Sequence, residues 1–184
     1  MALLIAGVAL WWGAHLFGRI APGLRAALGR GPGRAAVAIA LLLAIILMHL
    51  GYARADAAPL YQPPAWGRHL NNLLMYAAIV LAGMGHAGGR MRGWLRHPML
   101  TAVVVWAAAH LLVRGDGAAL VLFGGLALWA LVEMAVINRA EPGWTPPAPG
   151  PVARDLGLLV AAAVIYAVIV LIHWKVFGLY PFPG

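Results

Sequence analysis

Six apolar segments recur along the 184-residue chain, and their lengths constrain its fold more than any other feature. A helix needs about 17–25 mostly apolar residues to cross a bilayer. A soluble domain of this size could not remove so much apolar surface from water, since 64% of the residues are apolar and 10% are charged. We therefore predict an all-α, polytopic membrane helical bundle with six transmembrane helices, folded as a single domain over residues 1–184. The segments are Ala2–Gly18, Ala35–Ala53, Leu70–Gly85, Pro98–Val113, Ala118–Ile137 and Leu156–Phe177.

The cations between these segments predict the orientation of the chain. With six spans, nine of the 13 Lys and Arg residues fall on one face of the membrane and four on the other. The cytoplasmic connectors of membrane proteins carry the excess of Lys and Arg, so both termini are expected in the periplasm. Cations spread in this way between apolar blocks argue against nucleic-acid binding, and no basic helix or groove is visible. The lipid bilayer is the expected partner, and a homo-oligomer is left open.

The amino-acid composition removes several kinds of site. The chain has no Cys and five Asp and Glu residues. Thiolate nucleophiles, iron–sulfur clusters, Cys-ligated zinc and carboxylate-bridged metal cages are therefore excluded. Histidine, with seven copies, is the remaining abundant residue for ligation or proton transfer.

Polar side chains inside a membrane are costly, and they are therefore candidates for function. The predicted topology gives an outer group and an inner group of such residues. Glu133, the only acid within a span, is expected to extend to the cytoplasmic interface, and the alternative is a pairing with Arg139 or His97. The outer group is His49, His110 and His173, and the inner group is His15, His97 and Glu133.

Two imidazoles at one depth on facing helices suit a non-covalent haem b, whose iron binds one ring nitrogen from each side. His110 is the first candidate ligand, and Trp106 lies one helical turn before it as a flat apolar wall. Its partner is open between His173, at a similar depth, and His15, which residue counting places about 10 Å or more away in depth. The alternative to haem ligation is a structural role, in which these histidines make hydrogen bonds and pack beside aromatic residues.

Arg96-His97-Pro98 is the sharpest local motif. Pro98 suits the first position of a helix, where free backbone N–H groups lie beside Arg96 and His97. This arrangement predicts an anion-binding corner at the cytoplasmic surface. The alternative is a basic helix cap among lipid headgroups.

Several stretches together resemble the NnrU family of bacterial inner-membrane proteins. The resemblance implies a multi-pass protein of the inner membrane, linked to nitrite and nitric oxide reduction, that works by redox chemistry with a partner, nitric-oxide handling or haem delivery. The matching stretches are His15 before Pro22–Arg25, Pro63–Leu70, Leu95–Leu100, Trp106–Leu112, Gly115-Asp116, Leu122–Gly125 and His173 before Gly178.

Two further resemblances imply other activities. The pattern resembles the haem-dependent ζ-carotene isomerase of plants and cyanobacteria, whose proposed haem ligands align with His15 and His110. This implies cis–trans isomerisation of an apolar polyene, although Ala107 stands where that isomerase has a cysteine. The Arg96-His97-Pro98 fragment also resembles integral-membrane isoprenylcysteine carboxyl methyltransferases, where this region helps to hold S-adenosylmethionine, but their C-terminal cofactor motif is absent. A non-enzymatic membrane assembly factor is a further hypothesis, so whether the chain is an enzyme stays open.

Overall fold

The computed structural model describes residues 1–56 and 58–182, and every regular element in those ranges is helical. Helices make up 75% of the structure, which confirms the all-α prediction. Met91–Gly93 forms a 3-10 turn and Leu120–Gly124 forms a π-helical turn. The α-helices are α1 (Ala2–Ile20), α2 (Pro22–Ala27), α3 (Arg30–Ala53), α4 (Gly67–Ala87), α5 (Pro98–Leu111), α6 (Gly117–Ala119), α7 (Gly125–Ala140) and α8 (Val152–Lys175).

Five helices among the described residues are long and apolar enough to cross a membrane. One of them is a continuous 24-residue helix, Gly117–Ala140, which joins α6, the π turn and α7. Helix α5 has 14 residues, so at about 1.5 Å per residue it is shorter than a hydrocarbon core of about 30 Å. The multi-pass membrane fold is thus supported by five spans, and a sixth crossing by α5 stays a prediction.

The chain forms two compact units, which divide within α7. The first unit contains Met1–Tyr61 and Gly115–Trp129, and the second contains Gln62–Arg114 and Ala130–Gly184. The expectation of a single domain stays a prediction.

In the first unit, α1 and α3 approach closely because glycines lie at their contact. A Cβ added at Gly7 would lie 2.7 Å from the backbone nitrogen of Met48, and one at Gly51 would lie 2.3 Å from that of Leu4. Small residues commonly allow this close packing between membrane helices, where van der Waals contact is the main attraction.

Helix α1 also positions the π-helical turn of the first unit. The Trp12 indole donates a hydrogen bond to the Gly125 carbonyl oxygen at 3.1 Å. A Cβ at Gly125 would lie 2.9 Å from Cγ1 of Val8. This contact fixes the start of α7, which carries Trp129 one turn later.

The connections at the ends of α3 and α5 meet in the first unit. The Gly115 carbonyl oxygen accepts hydrogen bonds from the backbone nitrogens of Leu60 and Tyr61 at 2.7 and 3.1 Å. Burial, and then the Asp116 carboxylate, raises the pKa of the Tyr61 phenol. The phenol is therefore neutral at physiological pH.

In the second unit, α4 packs against both α5 and α8. The connections at one end of this unit are joined by the buried carboxylate of Asp155, which accepts hydrogen bonds from the backbone nitrogens of Arg90 and Met91 at 2.9 and 3.2 Å. A Cβ at Gly89 would lie 1.9 Å from Oδ1 of Asp155, so this position needs glycine. The Arg92 guanidinium also donates to the Ala148 carbonyl oxygen at 3.1 Å.

Candidate functional site

Three histidines within the apolar helices share one hydrogen-bond geometry. In each, Nδ1 lies within hydrogen-bond distance of the backbone carbonyl oxygen four residues earlier. A carbonyl oxygen only accepts, so Nδ1 carries the proton and the neutral ring keeps its lone pair on Nε2. This is the tautomer that binds a metal through Nε2 while a second group orients the ring. The pairs are His15 with Trp11 (3.0 Å), His110 with Trp106 (2.8 Å) and His173 with Ile169 (2.8 Å).

His110 and His173 lie in the same unit, on two helices that both pack against α4. The ring centroid of Trp106 is 4.9 Å from that of His110. The ring centroid of Phe177 is 5.7 Å from that of His173. The structure therefore places two of the predicted ligands in one unit, each beside an aromatic ring.

Two adjacent asparagines at the start of α4 fix the helix ends that carry these histidines. The buried amide of Asn71 donates to the Ala109 carbonyl oxygen at 2.8 Å. The Asn72 amide donates to the Pro181 carbonyl oxygen, in the segment after α8, at 3.2 Å. The end of α5 and the segment after α8 thus meet the same end of α4. Sequence reasoning missed both residues, although two amides within an apolar segment were a usable signal.

His15 lies in the first unit, between two indole rings. Its ring centroid is 4.4 Å from that of Trp11 and 4.4 Å from that of Trp129. The two indoles meet edge to face, with centroids 5.4 Å apart. Trp129 is buried, with 4% of its surface exposed.

Arg96 and His97 lie at the opposite end of α5 from His110. The His97 Nε2 donates to Oδ1 of Asn138 at 2.8 Å, and the Arg96 guanidinium donates to the Glu141 carbonyl oxygen. Both side chains therefore join the start of α5 to the end of α7. Their role in binding an anion stays a prediction.

Two other polar residues within the helices, His49 and Glu133, differ in how far they are exposed. His49 is exposed on α3. Glu133 is 9% exposed, so the expectation that it extends to the interface is wrong. The reason is its position on α7, because it follows the buried residues Leu126 and Trp129 by seven and four residues, on the same helix face.

Metal binding by protein ligands alone has no support in the structure. In residues 1–56 and 58–182, no group of three or more His, Asp or Glu side chains could hold a metal ion. A bis-histidine haem needs only two protein ligands, because the porphyrin supplies the other ligands of the iron. The donor chemistry of His110 and His173 fits that requirement.

Comparison with known proteins gave one clear relationship. No curated protein and no solved structure matched the chain. A family model described as NnrU protein matches residues 3–181, which include all the histidines and tryptophans discussed above. Because this match covers nearly the whole sequence, the chain belongs to the NnrU family.

Proposed function

We propose that this protein binds haem b within the membrane, with Nε2 of His110 and Nε2 of His173 as the iron ligands. The observation that carries the proposal is the presence of these two imidazoles in one unit, each with Nδ1 bound to a backbone carbonyl oxygen and Nε2 left as the metal-binding nitrogen. Sequence reasoning left the partner of His110 open between His173 and His15, and the proposal takes His173, which lies in the unit of His110.

The surrounding residues have separate tasks in this proposal. The carbonyl oxygens of Trp106 and Ile169 hold the Nδ1 protons and thereby orient both rings and make each Nε2 more basic. Trp106 and Phe177 supply apolar surface that excludes water. When bound, haem would supply one-electron redox chemistry.

We further propose that the haem serves nitrite and nitric oxide metabolism at the bacterial inner membrane. Membership of the NnrU family and the five long apolar helices support this role. The role includes electron exchange with a redox partner, nitric-oxide handling or haem delivery. We also propose that the chain crosses the membrane six times and has both termini in the periplasm.

Visible spectra of the purified protein, oxidised and reduced, test haem binding. We expect the Soret and α bands of a low-spin bis-histidine haem b. His110→Ala and His173→Ala should each remove the haem or convert it to a high-spin form. His69→Ala and His86→Ala are matched controls, since both side chains are exposed on α4, and should keep the spectrum.

Two outcomes would contradict the ligand assignment. If His15→Ala and His110→Ala remove the low-spin spectrum while His173→Ala keeps it, then His15 is the partner. If no haem co-purifies and none binds on reconstitution, the haem proposal fails and a cofactor-free assembly role is favoured.

The cellular role needs a separate experiment. In a denitrifying host that lacks its own copy, the wild-type chain should restore nitrite and nitric oxide consumption, and His110→Ala should not. Expression in a host that accumulates a cis-carotenoid tests the other activity. Conversion of that carotenoid to the trans isomer, without any effect on nitrite consumption, would contradict the denitrification role and favour the isomerase.

A further inference from the structure

Four arginines and no acidic residue occupy the connection between α1 and α3, residues 18–34. Helices α1 and α3 are both long and apolar enough to cross a membrane. The connection between two such spans lies at a membrane surface, beside the phosphate groups of the lipids. The four cations are Arg19, Arg25, Arg30 and Arg34.

The half-buried side chain of Arg25 covers the start of α3. Its guanidinium Nη1 donates to the Gly29 carbonyl oxygen at 3.0 Å. The same nitrogen lies against Gly33, where an added Cβ would overlap it. Gly33 therefore makes room for the guanidinium, and a methyl group at this position would displace it from the first turn of α3.

Arg30 and Arg34 add two exposed cations to the same turn. Each directly follows one of the glycines that Arg25 contacts, and the two are four residues apart on α3. Like charges at this spacing destabilise a helix, so an anion beside these three residues, the arginine cluster, would stabilise it. The surface here is open, because a Cβ at Gly31 would meet nothing within 4 Å.

The first unit has no carboxylate at this end of α3. Its two acids are Asp56, in the connection after α3, and Asp116, which forms a backbone bridge with Pro59. Both lie beyond the far end of α3, whose 24 residues span about 36 Å at about 1.5 Å per residue. That distance is too long for an ion pair. The other acids of the chain belong to the second unit, and they are Glu133, Glu141 and Asp155.

We propose that the arginine cluster binds the phosphate group of an anionic phospholipid. Guanidinium groups are weakly hydrated and bind phosphate oxygens through paired N–H donors. Two exposed leucines on α2 and its C-cap suit the acyl chains of the same molecule, whereas a free phosphate ion would gain nothing from them. They are Leu24 and Leu28, which are 59% and 38% exposed and four residues apart, and no residue of α2 is buried.

Native mass spectrometry of the full-length protein in detergent tests this proposal. We expect the wild type to bind dioleoylphosphatidylglycerol at least about tenfold more tightly than dioleoylphosphatidylcholine, which has no net charge. Arg25→Gln, Arg30→Gln and Arg34→Gln should each raise the Kd for the anionic lipid about fivefold, the equivalent of about 1 kcal/mol per cation. Arg54→Gln is the control, since it removes an exposed arginine just after the other end of α3.

A pair of glycine variants tests the site without changing the net charge. Gly33→Ala displaces the Arg25 guanidinium, so it should raise the Kd about as much as Arg25→Gln does. Gly31→Ala adds the same methyl group to an open surface two residues earlier, and it should keep the wild-type Kd. Both changes favour a helix, so thermal unfolding should show that both variants are folded.

Leucine variants and inorganic phosphate distinguish a lipid from a free anion. Leu24→Ser and Leu28→Ser should each weaken binding of the phosphatidylglycerol about threefold, because less apolar surface is buried. Excess inorganic phosphate should not displace the lipid. An arginine variant that fails to fold is replaced by the matching Arg→Lys change, which keeps the charge and loses the paired donors.

Three results would overturn the proposal. The first is wild-type protein that binds the two lipids equally, and a gain of preference in Glu141→Gln would then identify that carboxylate as the partner of the cluster. The second is equal Kd values for Gly33→Ala and Gly31→Ala, since attraction by net charge alone predicts no difference. The third is full displacement of the lipid by inorganic phosphate. His110 and His173 belong to the other unit, so haem binding and lipid binding can each fail alone.

Discussion

At the scale of single residues, the backbone carbonyl that pairs with Nδ1 decides what each intramembrane histidine can do. The pairing directs the lone pair of Nε2 away from the helix that carries the ring. His15, His110 and His173 have this pairing, whereas His97 uses Nε2 to donate to Asn138. Haem ligation by Nε2 is therefore compatible with the first three side chains as they stand.

Asn71→Leu should release the end of α5 that carries His110. The change keeps the number and branching of the side-chain heavy atoms and leaves the Ala109 carbonyl oxygen without its donor. We expect a loss of about 1 kcal/mol in stability and partial conversion of bound haem to a high-spin form, measured by thermal unfolding and visible spectra. Asn138→Leu is the control, since it breaks only the contact with His97 at the other end of the helix. Equal spectral effects of the two changes would contradict a positioning role for Asn71.

At the scale of helices and connections, close backbone contact fixes the ends of α4. A Cβ at Gly67, where α4 begins, would lie 2.3 Å from the Leu112 carbonyl oxygen just after α5. At the other end, just after α4, a Cβ at Gly89 would meet the Asp155 carboxylate of α8. The Gly67 contact sets the position of α5 relative to α4, and therefore that of His110.

Gly67→Ala should destabilise the second unit. The added methyl group meets backbone that cannot move without shifting the end of α5, and we expect a loss of about 1–3 kcal/mol. Gly157→Ala in α8 is the matched control, because a Cβ there meets nothing within 4 Å. That change should raise helix stability by about 0.5–1 kcal/mol. Thermal unfolding in one detergent compares the two, and equal midpoints would refute the contact.

Asp155→Ala should loosen the connection between α4 and α5. It leaves the backbone nitrogens of Arg90 and Met91 without their acceptor, at a cost of about 1–3 kcal/mol each. Asp155→Asn keeps one acceptor oxygen and should cost less. Hydrogen exchange at residues 88–97 measures the effect, and the exposed Asp56→Ala is the control. Unchanged exchange in Asp155→Ala would show that the carboxylate does not hold this connection.

At the scale of the whole molecule, the cations indicate which ends of the helices face the cytoplasm. In the second unit, five cations lie in or beside the connections that Asp155 and Asn138 join, and three lie toward the other end. The five are Arg90, Arg92, Arg96, Arg139 and Arg154, and the three are Arg68, Arg114 and Lys175. The predicted separation of cations thus corresponds to two physical ends of this unit.

Reporter fusions test this orientation directly. Fusions within residues 18–34 and 85–96 should report the cytoplasm, and fusions at the C-terminus should report the periplasm, because the first two regions carry the cation excess. Both alkaline phosphatase and a cytoplasmic fluorescent reporter should be used at each site. A cytoplasmic C-terminus would rule out six spans and leave α5 as a helix that does not cross the bilayer.

The approximate positions of the long helices could be predicted from the sequence because they depend on local properties, although α2 was missed and most bounds differ by a few residues. Apolar length sets a span, and Pro98 pre-sets the first turn of α5, which begins at that residue as predicted. The predicted segment Ala35–Ala53 ends where α3 ends, and it missed the first turn at Arg30 because the glycines and arginines there favour a loop. Family membership over residues 3–181 was likewise evident from short motifs.

The groups that come together could not be predicted, because they depend on how each helix is rotated and how closely it packs. One residue turns a helix by about 100°, so a small error in rotation moves a side chain from a neighbouring helix to lipid. Residue counting matched His110 with His173 in depth but could not show that the Asn71 and Asn72 amides bind the end of α5 and the segment after α8. The same argument applies to buried Glu133 and to the Trp11–His15–Trp129 cluster. The sequence alone determined a helical membrane protein of the NnrU family, and tertiary packing decided which of its polar groups meet.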